Sequence, residues 1–213
     1  MQGYEITVAG ATLTALASGA LCWPELRLLA VSDLHLGKSE RLARLGGALL
    51  PPYEVEDTLA RLDAVIAACD PRLVVCLGDT FDDLAAAALP EAARLWLMRM
   101  MAGRRWVWIA GNHDPAPVDL AGEQMAELLV GPLVFRHIAQ REARGEVSGH
   151  YHPKLRLAGQ ARRCFLVDGS RVILPAFGTY TGGLDAGDPA LAGLMGPGAL
   201  AVLTGQVARP VPL

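Results

Sequence analysis

All five histidines of the chain stand in or between short polar motifs whose residue types suit metal binding or proton transfer. His35 closes Ser-Asp33-Leu-His35, His113 lies in Gly111-Asn112-His113-Asp114, and His150 and His152 share Gly149-His150-Tyr151-His152. His137 stands alone between the last two motifs, and Gly78-Asp79-Thr80-Phe81-Asp82-Asp83 comes between the first two. The order along the chain is DxH, GDxxD, GNHD, H, GHxH. Neutral imidazole is the commonest protein ligand for transition metals, so histidine used this sparingly points to metal ligation or proton transfer.

The spacings add detail. In extended backbone Asp33 and His35 point to the same side and can grip one ion. DxH by itself is more often a turn aspartate beside a hydrogen-bonded histidine. Asp79 is suited to bridge two cations with its two oxygens, and Gly78 removes a side chain where the backbone must turn. The competing role for Asp79 and Asp82 is to cap a following helix, and capping is the favoured expectation for Asp82 and Asp83. Asn112 can offer its amide oxygen to a metal while His113 stays free to give a proton to a leaving oxygen. Asp114 is placed to orient His113 and raise its pKa, and Pro115 stops the segment from continuing as strand or helix. His150 and His152 would serve two different ions. By local context His137 reads as a hydrogen-bonded core residue, and its place between GNHD and GHxH lifts it to a ligand candidate. Lys38, Arg41 and Arg44, just after DxH, either touch phosphate or decorate a helix. Gly178 to Gly183 lacks both a P-loop ending and GxGxxG spacing, which leaves a glycine-rich turn as the default.

Positioning these groups requires rigid elements behind them. Apolar runs from Leu26, Leu73 and Trp106 read as buried strands, ending in the motifs of Asp33, Asp79 and Asn112 respectively. Between them, Leu59, Leu62, Val65 and Ile66 recur at helical spacing within Val55 to Cys69, as do Leu95, Met98 and Met101 within Pro90 to Met101. Alternating strands and helices imply βαβ units, with functional groups gathered beyond the carboxyl ends of the strands. The second half holds short β candidates at 133–137, 146–150, 162–167, 171–174 and 200–207, with a hairpin turn expected at Asp168-Gly169. The expected fold is α/β: two packed mixed β-sheets flanked by helices, in one domain spanning residues 1–213.

Hydrophobic residues make up 52% of the 213, which excludes a disordered chain, and no apolar run is long enough to span a bilayer. The N-terminus lacks a signal-peptide pattern and Cys22, Cys69, Cys76 and Cys164 show no CxxC spacing, so a cytoplasmic protein with reduced, buried thiols is expected. The net charge of −3 gives no hint of nucleic acid. Seven basic residues against two acidic ones between Arg136 and Arg163 nevertheless bracket three of the histidines, which suits either an ordinary solvated face or a positive rim for a phosphate polymer.

On the five ordered motifs, the sequence resembles the calcineurin-like metallophosphoesterase superfamily. It looks most like the small bacterial ligase-associated DNA damage response phosphoesterases, described as endonucleases, with further support from Arg163-Cys-Phe165 and from Leu174-Pro-Ala-Phe-Gly-Thr-Tyr-Thr-Gly-Gly-Leu184. The resemblance implies that Asp33, His35, Asp79 and His152 hold one metal. It implies that Asp79, Asn112, His137 and His150 hold the other, with His113 as general acid. Two divalent cations roughly 3.5 Å apart would activate a bridging hydroxide for in-line attack on phosphorus. Mixed oxygen and imidazole ligands fit Mn²⁺, Fe²⁺ or Zn²⁺, and the resemblance favours Mn²⁺. The implied partners are DNA, single-stranded by preference, and functionally an ATP-dependent DNA ligase, an exonuclease and a helicase. In that subfamily the position of Asp82 is often histidine, a departure that bears on substrate binding, for which Lys38, Arg41 and Asp82 are the candidates. Hydrolysis of a small phosphodiester or nucleotide is the enzymatic alternative, and a non-catalytic scaffold on the same fold the other.

Overall fold

The structure, a computed structural model, describes residues 2–47, 49–83, 89–112 and 120–213. Two mixed sheets face each other. The first is a seven-stranded sheet whose order in space is its order in sequence. Strands β1 (Gly3–Val8), β2 (Ala11–Leu16), β3 (Leu21–Trp23) and β4 (Leu28–Val31) form an antiparallel meander. From β4 onward the pairing turns parallel, through β5 (Leu73–Leu77), β6 (Arg105–Ile109) and β7 (Glu123–Met125).

Helices α2 (Glu54–Cys69) and α3 (Glu91–Met101) cross between these parallel strands, with the short α1 (Lys38–Arg44) before them. Leu59, Leu62, Val65 and Ile66 of α2 are buried against the outer face of the sheet, as their spacing requires. The expected apolar face of α3 is corrected. Ala93, Leu97, Met100 and Met101 are buried, while Leu95 and Met98 are 52% and 43% exposed. Because α3 carries more large apolar residues than one face can hold, spacing alone chose the wrong pair.

The second sheet runs β15-β14-β12-β13-β10-β9-β8, with β11 paired to the far end of β12. Its strands are β8 (Glu127–Val130), β9 (Leu133–Arg136), β10 (Glu146–Ser148), β11 (Lys154–Leu157), β12 (Gln160–Val167), β13 (Arg171–Ile173), β14 (Leu200–Leu203) and β15 (Arg209–Pro212). The hairpin at Asp168-Gly169 joins β12 and β13, and Asp168 closes it by accepting from the backbone N–H of Ser170 and of Arg171. Between the sheets, Leu13, Val75 and Val107 of the first pack in one apolar cluster with Phe135, Phe165 and Val202 of the second. The outer face of the second sheet is covered thinly, by the four-residue α4 (Pro189–Ala192) and the neighbouring Ala186, Leu194 and Met195. No disulfide joins the four cysteines; Cys76 and Cys164 are buried as expected, but Cys22 and Cys69 are only half-buried. Among the described residues no helix is long and apolar enough to cross a membrane.

The topology brings the motifs to one end of the molecule. Parallel β4, β5 and β6 finish at Val31, Leu77 and Ile109, so Asp33, His35, Asp79 and Asn112 follow their carboxyl ends. Parallel β9 and β10 do the same for His137, His150 and His152.

Candidate metal centre

Two groups of three side chains meet where the strand ends converge. Asp33, His35 and His152 offer ligand atoms within 4.8 Å of one another, and so do Asp79, His137 and His150. The groups adjoin through Asp79, whose Oδ2 lies 3.4 Å from His137 Nε2 and 4.0 Å from His35 Nε2. Asn112 Oδ1 is 2.8 Å from His137 Nε2, which sets it beside the second group. His113 and Asp114 lie outside the described residues.

Backbone conformation explains how residues so close in sequence reach this geometry. Nine non-glycine residues have positive φ among those described, and five are Asp33, His35, Asp79, His150 and His152. Such conformations cost roughly 1–3 kcal/mol each and persist where the surrounding structure over-determines them, typically at functional sites. The extended backbone expected at Asp33-x-His35 is therefore corrected to a left-handed one. Hydrogen bonds from Asp33 N to Gly78 O, His35 N to Asp79 O, Leu36 N to Thr80 O and Asp82 N to Leu36 O hold that segment. The 174–183 segment closes over the other side: Phe177 N donates to Ser32 O and Gly178 N to Asp33 O. The glycine-rich turn is thus a strap behind DxH, tied to α2 through Arg61, which donates to Phe177 O and to Thr179 Oγ1. Two glycines permit the close approach. A Cβ on Gly78 would fall 2.4 Å from His137 Nδ1, and one on Gly149 would fall 1.6 Å from Ser32 Oγ.

Hydrogen bonds fix which atom each ligand candidate presents. His137 Nδ1 donates to the Leu77 carbonyl at 2.8 Å, so its proton is committed there and Nε2 turns to Asn112, Asp79 and His150. His35 Nδ1 donates to Asp82 Oδ1 at 2.9 Å, which turns Nε2 toward His152 Nε2 at 3.4 Å. Asp33 Oδ2 accepts from the hydroxyl of Ser32 and from His150 N. Its Oδ1 is buried, accepts no hydrogen bond from the described residues, and faces His152 Nε2 at 3.1 Å. Lone-pair atoms that converge in this way, around two carboxylates less than 3% exposed, call for positive charge between them. Burial works against protonating His137, yet the Asp79 hydrogen bond and the charges of Asp33 and Asp79 outweigh it and raise its pKa. Burial and the adjacent His137 lower that of His150. The donor set of carboxylate oxygen, amide oxygen and imidazole, with a carboxylate or carbonyl behind two of the imidazoles, fits divalent transition metals.

Asp82 belongs to this supporting layer. Its carboxylate is 1% exposed and is held by His35, by Arg41 at 3.0 Å and by Lys38 at 3.6 Å. The helix expected to follow Asp82 and Asp83 lies outside the described residues, and direct contact of Asp82 with a substrate would require this pairing to open. Burial raises the Asp82 pKa, but the bonds from His35 and Arg41 and the charge of Lys38 pull it well below the usual carboxylate range. Sequence reasoning missed this role, as it missed Ser32 and the strap; a serine directly before a strand-end aspartate was the available signal.

A model of the calcineurin-like phosphoesterase family matches residues 26–178, which take in every one of these groups. The chain belongs to the calcineurin-like phosphoesterase family. It is a phosphoester hydrolase, and the two mixed sheets are those of the calcineurin-like α/β fold. Among solved structures it is similar to that of Pseudomonas putida nuclease MPE, with 29% identity and a TM-score of 0.77 over 98% of this chain and 100% of that one. No curated protein matches the sequence. The resemblance on the five motifs is thereby confirmed at the level of the calcineurin-like family.

Proposed function

We propose that the chain is a binuclear metal-dependent phosphodiesterase acting on DNA as an endonuclease in DNA repair. The observation that carries this reading is the convergence of carboxylate and imidazole atoms on two adjoining points, with Asp79 Oδ2 reaching toward both. Likeness along nearly the whole chain to a protein named as a nuclease supports nucleic acid as the substrate.

In this reading Asp33, His35, Asp79 and His152 hold one divalent cation, and Asp79, Asn112, His137 and His150 hold the second. Bound there, the pair supplies Lewis-acid activation of water and neutralises charge on the phosphate oxygens. Mn²⁺ is the favoured ion, with Fe²⁺ and Zn²⁺ compatible with the same donors. His35 and His137 keep their tautomers through Asp82 and the Leu77 carbonyl. His113, next to Asn112 in sequence, gives its proton to the leaving oxygen, with Asp114 orienting it. Asp82 acts through His35. Lys38 and Arg41, bound to Asp82 but 25% and 32% exposed, have donors left over for phosphate. The negative net charge favours a second reading, hydrolysis of a small phosphodiester or nucleotide.

Metal-free protein given Mn²⁺, Zn²⁺ or Mg²⁺ is tested on circular single-stranded DNA and on a chromogenic phosphodiester, with His113→Ala alongside. Metal-dependent nicking of the circle, reduced about 10² to 10⁴-fold in the variant, is expected. Cleavage of the small ester with intact circles moves the substrate to a nucleotide or a DNA end.

A further inference from the structure

The basic stretch from Arg136 to Arg163 is not one surface. Arg136 is largely covered and pairs with Glu127 and Glu146. Arg163 donates to the carbonyls of Ala176 and Thr179, and Lys154 to that of Thr181. Arg141 and Arg144 belong to the opposite end of the sheet, where Arg171, the first residue of β13, donates to Arg141 O and Ala143 O. Arg156 is exposed on the β11–β12 ribbon, opposite Ala161. Arg162 lines a groove of about 500 Å³ together with Arg209, Thr204 and Gln206.

Strand directions place this groove at the metal end. β12 runs antiparallel to β13, which is parallel to β10, so Arg162 lies near the edge where β10 finishes and leads to His150. β14 opposes β12 and β15 opposes β14, which brings Thr204 and Arg209 to the same edge. The register of Cys164 with Leu203, and of Leu203 with Arg209, puts Arg162 and Arg209 on one face of the sheet. Both arginines are exposed, and neither makes an ion pair among the described residues. Among the described residues no carboxylate lines the groove. Two guanidinium groups sharing one cleft repel each other, and an anion that accepts from both relieves that repulsion. Strands lie about 4.8 Å apart, so the four steps from β10 to β15 put the groove within about 19 Å of the strand leading to His150, a span of a few nucleotides.

We propose that the groove of Arg162 and Arg209 binds a backbone phosphate of the nucleic acid away from the bond being cut, so that a strand crosses the edge of the second sheet to reach the metal centre. This rests on the nuclease reading of the centre and adds a path for the polymer. The test uses full-length protein and a fluorescent single-stranded oligonucleotide, with binding measured across a salt series. Arg162→Ala/Arg209→Ala is compared with wild type and with the charge-matched Arg141→Ala/Arg144→Ala. The expected result is at least tenfold weaker binding in the groove variant and a salt slope smaller by about 0.7, since each phosphate neutralised on a single strand contributes about 0.7. The charge-matched variant keeps the wild-type slope, and all three hydrolyse a chromogenic phosphodiester equally. Equal affinity and slope in all three proteins, or no oligonucleotide binding by wild type, overturns the proposal. Failure of the nuclease reading shows separately, as intact circular DNA with metal-loaded protein while the oligonucleotide still binds through the groove.

Discussion

His35 gives its Nδ1 proton to Asp82, 2.9 Å away, and Asp82 is in turn held by Arg41 at 3.0 Å. This chain of contacts starts on α1, crosses the segment after β5 and ends on an imidazole of the candidate metal centre. A carboxylate behind a ligating histidine fixes its tautomer and raises its basicity, and losing such a partner typically weakens metal affinity or activity about 10- to 100-fold. Asp82→Ala is expected to lose that much in divalent-metal affinity, measured by calorimetric titration. Asp82→Asn, which keeps an acceptor for His35, is expected to lose less. Equal affinity in Asp82→Ala and wild type would remove Asp82 from the account.

The close approach at Gly78 separates backbone strain from crowding. Gly78 and Gly103 have nearly the same φ, +78° and +73°, but a Cβ on Gly78 meets His137 whereas one on Gly103 meets nothing within 4 Å. Gly103→Ala should cost about 1–2 kcal/mol in denaturant unfolding, the left-handed penalty alone. Gly78→Ala should cost more and also reduce metal binding, because the new methyl group must displace the imidazole ring. The same stability loss and full metal binding in both variants would contradict the stated role of Gly78.

Much of this was legible in the sequence, for identifiable reasons. The strands before Asp33 and Asp79 are apolar throughout and the one before Asn112 is apolar after Arg105, because both faces of β4, β5 and β6 are largely buried, and such runs stand out. The hairpin at Asp168 announced itself through its turn residues. Strands β7, β8, β11 and β15 are edge or ribbon strands with mostly exposed side chains, and carry no comparable signal. The meander of β1 to β3 does carry a signal in its sequence, an alternating pattern around Ala9-Gly10. The five left-handed ligand candidates were hidden for another reason: glycine advertises positive φ, whereas aspartate and histidine forced into it by tertiary hydrogen bonds do not. For Asp82 the side-chain type suggested a cap, and only the fold brings His35 beside it.

Asp168 gives a pH-dependent expectation away from the metal centre. Burial raises its pKa, but bonds from the N–H groups of Gly196, Ser170 and Arg171 and from the Ser170 hydroxyl outweigh this and lower it. A carboxyl whose folded pKa lies below its unfolded value stabilises the fold above the unfolded value, and loses that contribution as pH falls through the folded one. Asp168→Ala should therefore destabilise the protein by about 1–3 kcal/mol at pH 7. The gap to wild type should narrow only below about pH 4, near the unfolded carboxylate value. A gap that stays constant into that acid range would show that the charge of Asp168 contributes nothing.

The central claim is that this centre holds two divalent cations. Metal-free protein titrated with Mn²⁺, with bound metal and hydrolysis of a phosphodiester followed together, tests it most directly. The account predicts two equivalents per chain, with activity rising as the second is taken up, and fewer than two in Asp79→Ala. Full activity without metal, or saturation at one equivalent with Asp79→Ala indistinguishable from wild type, would contradict it.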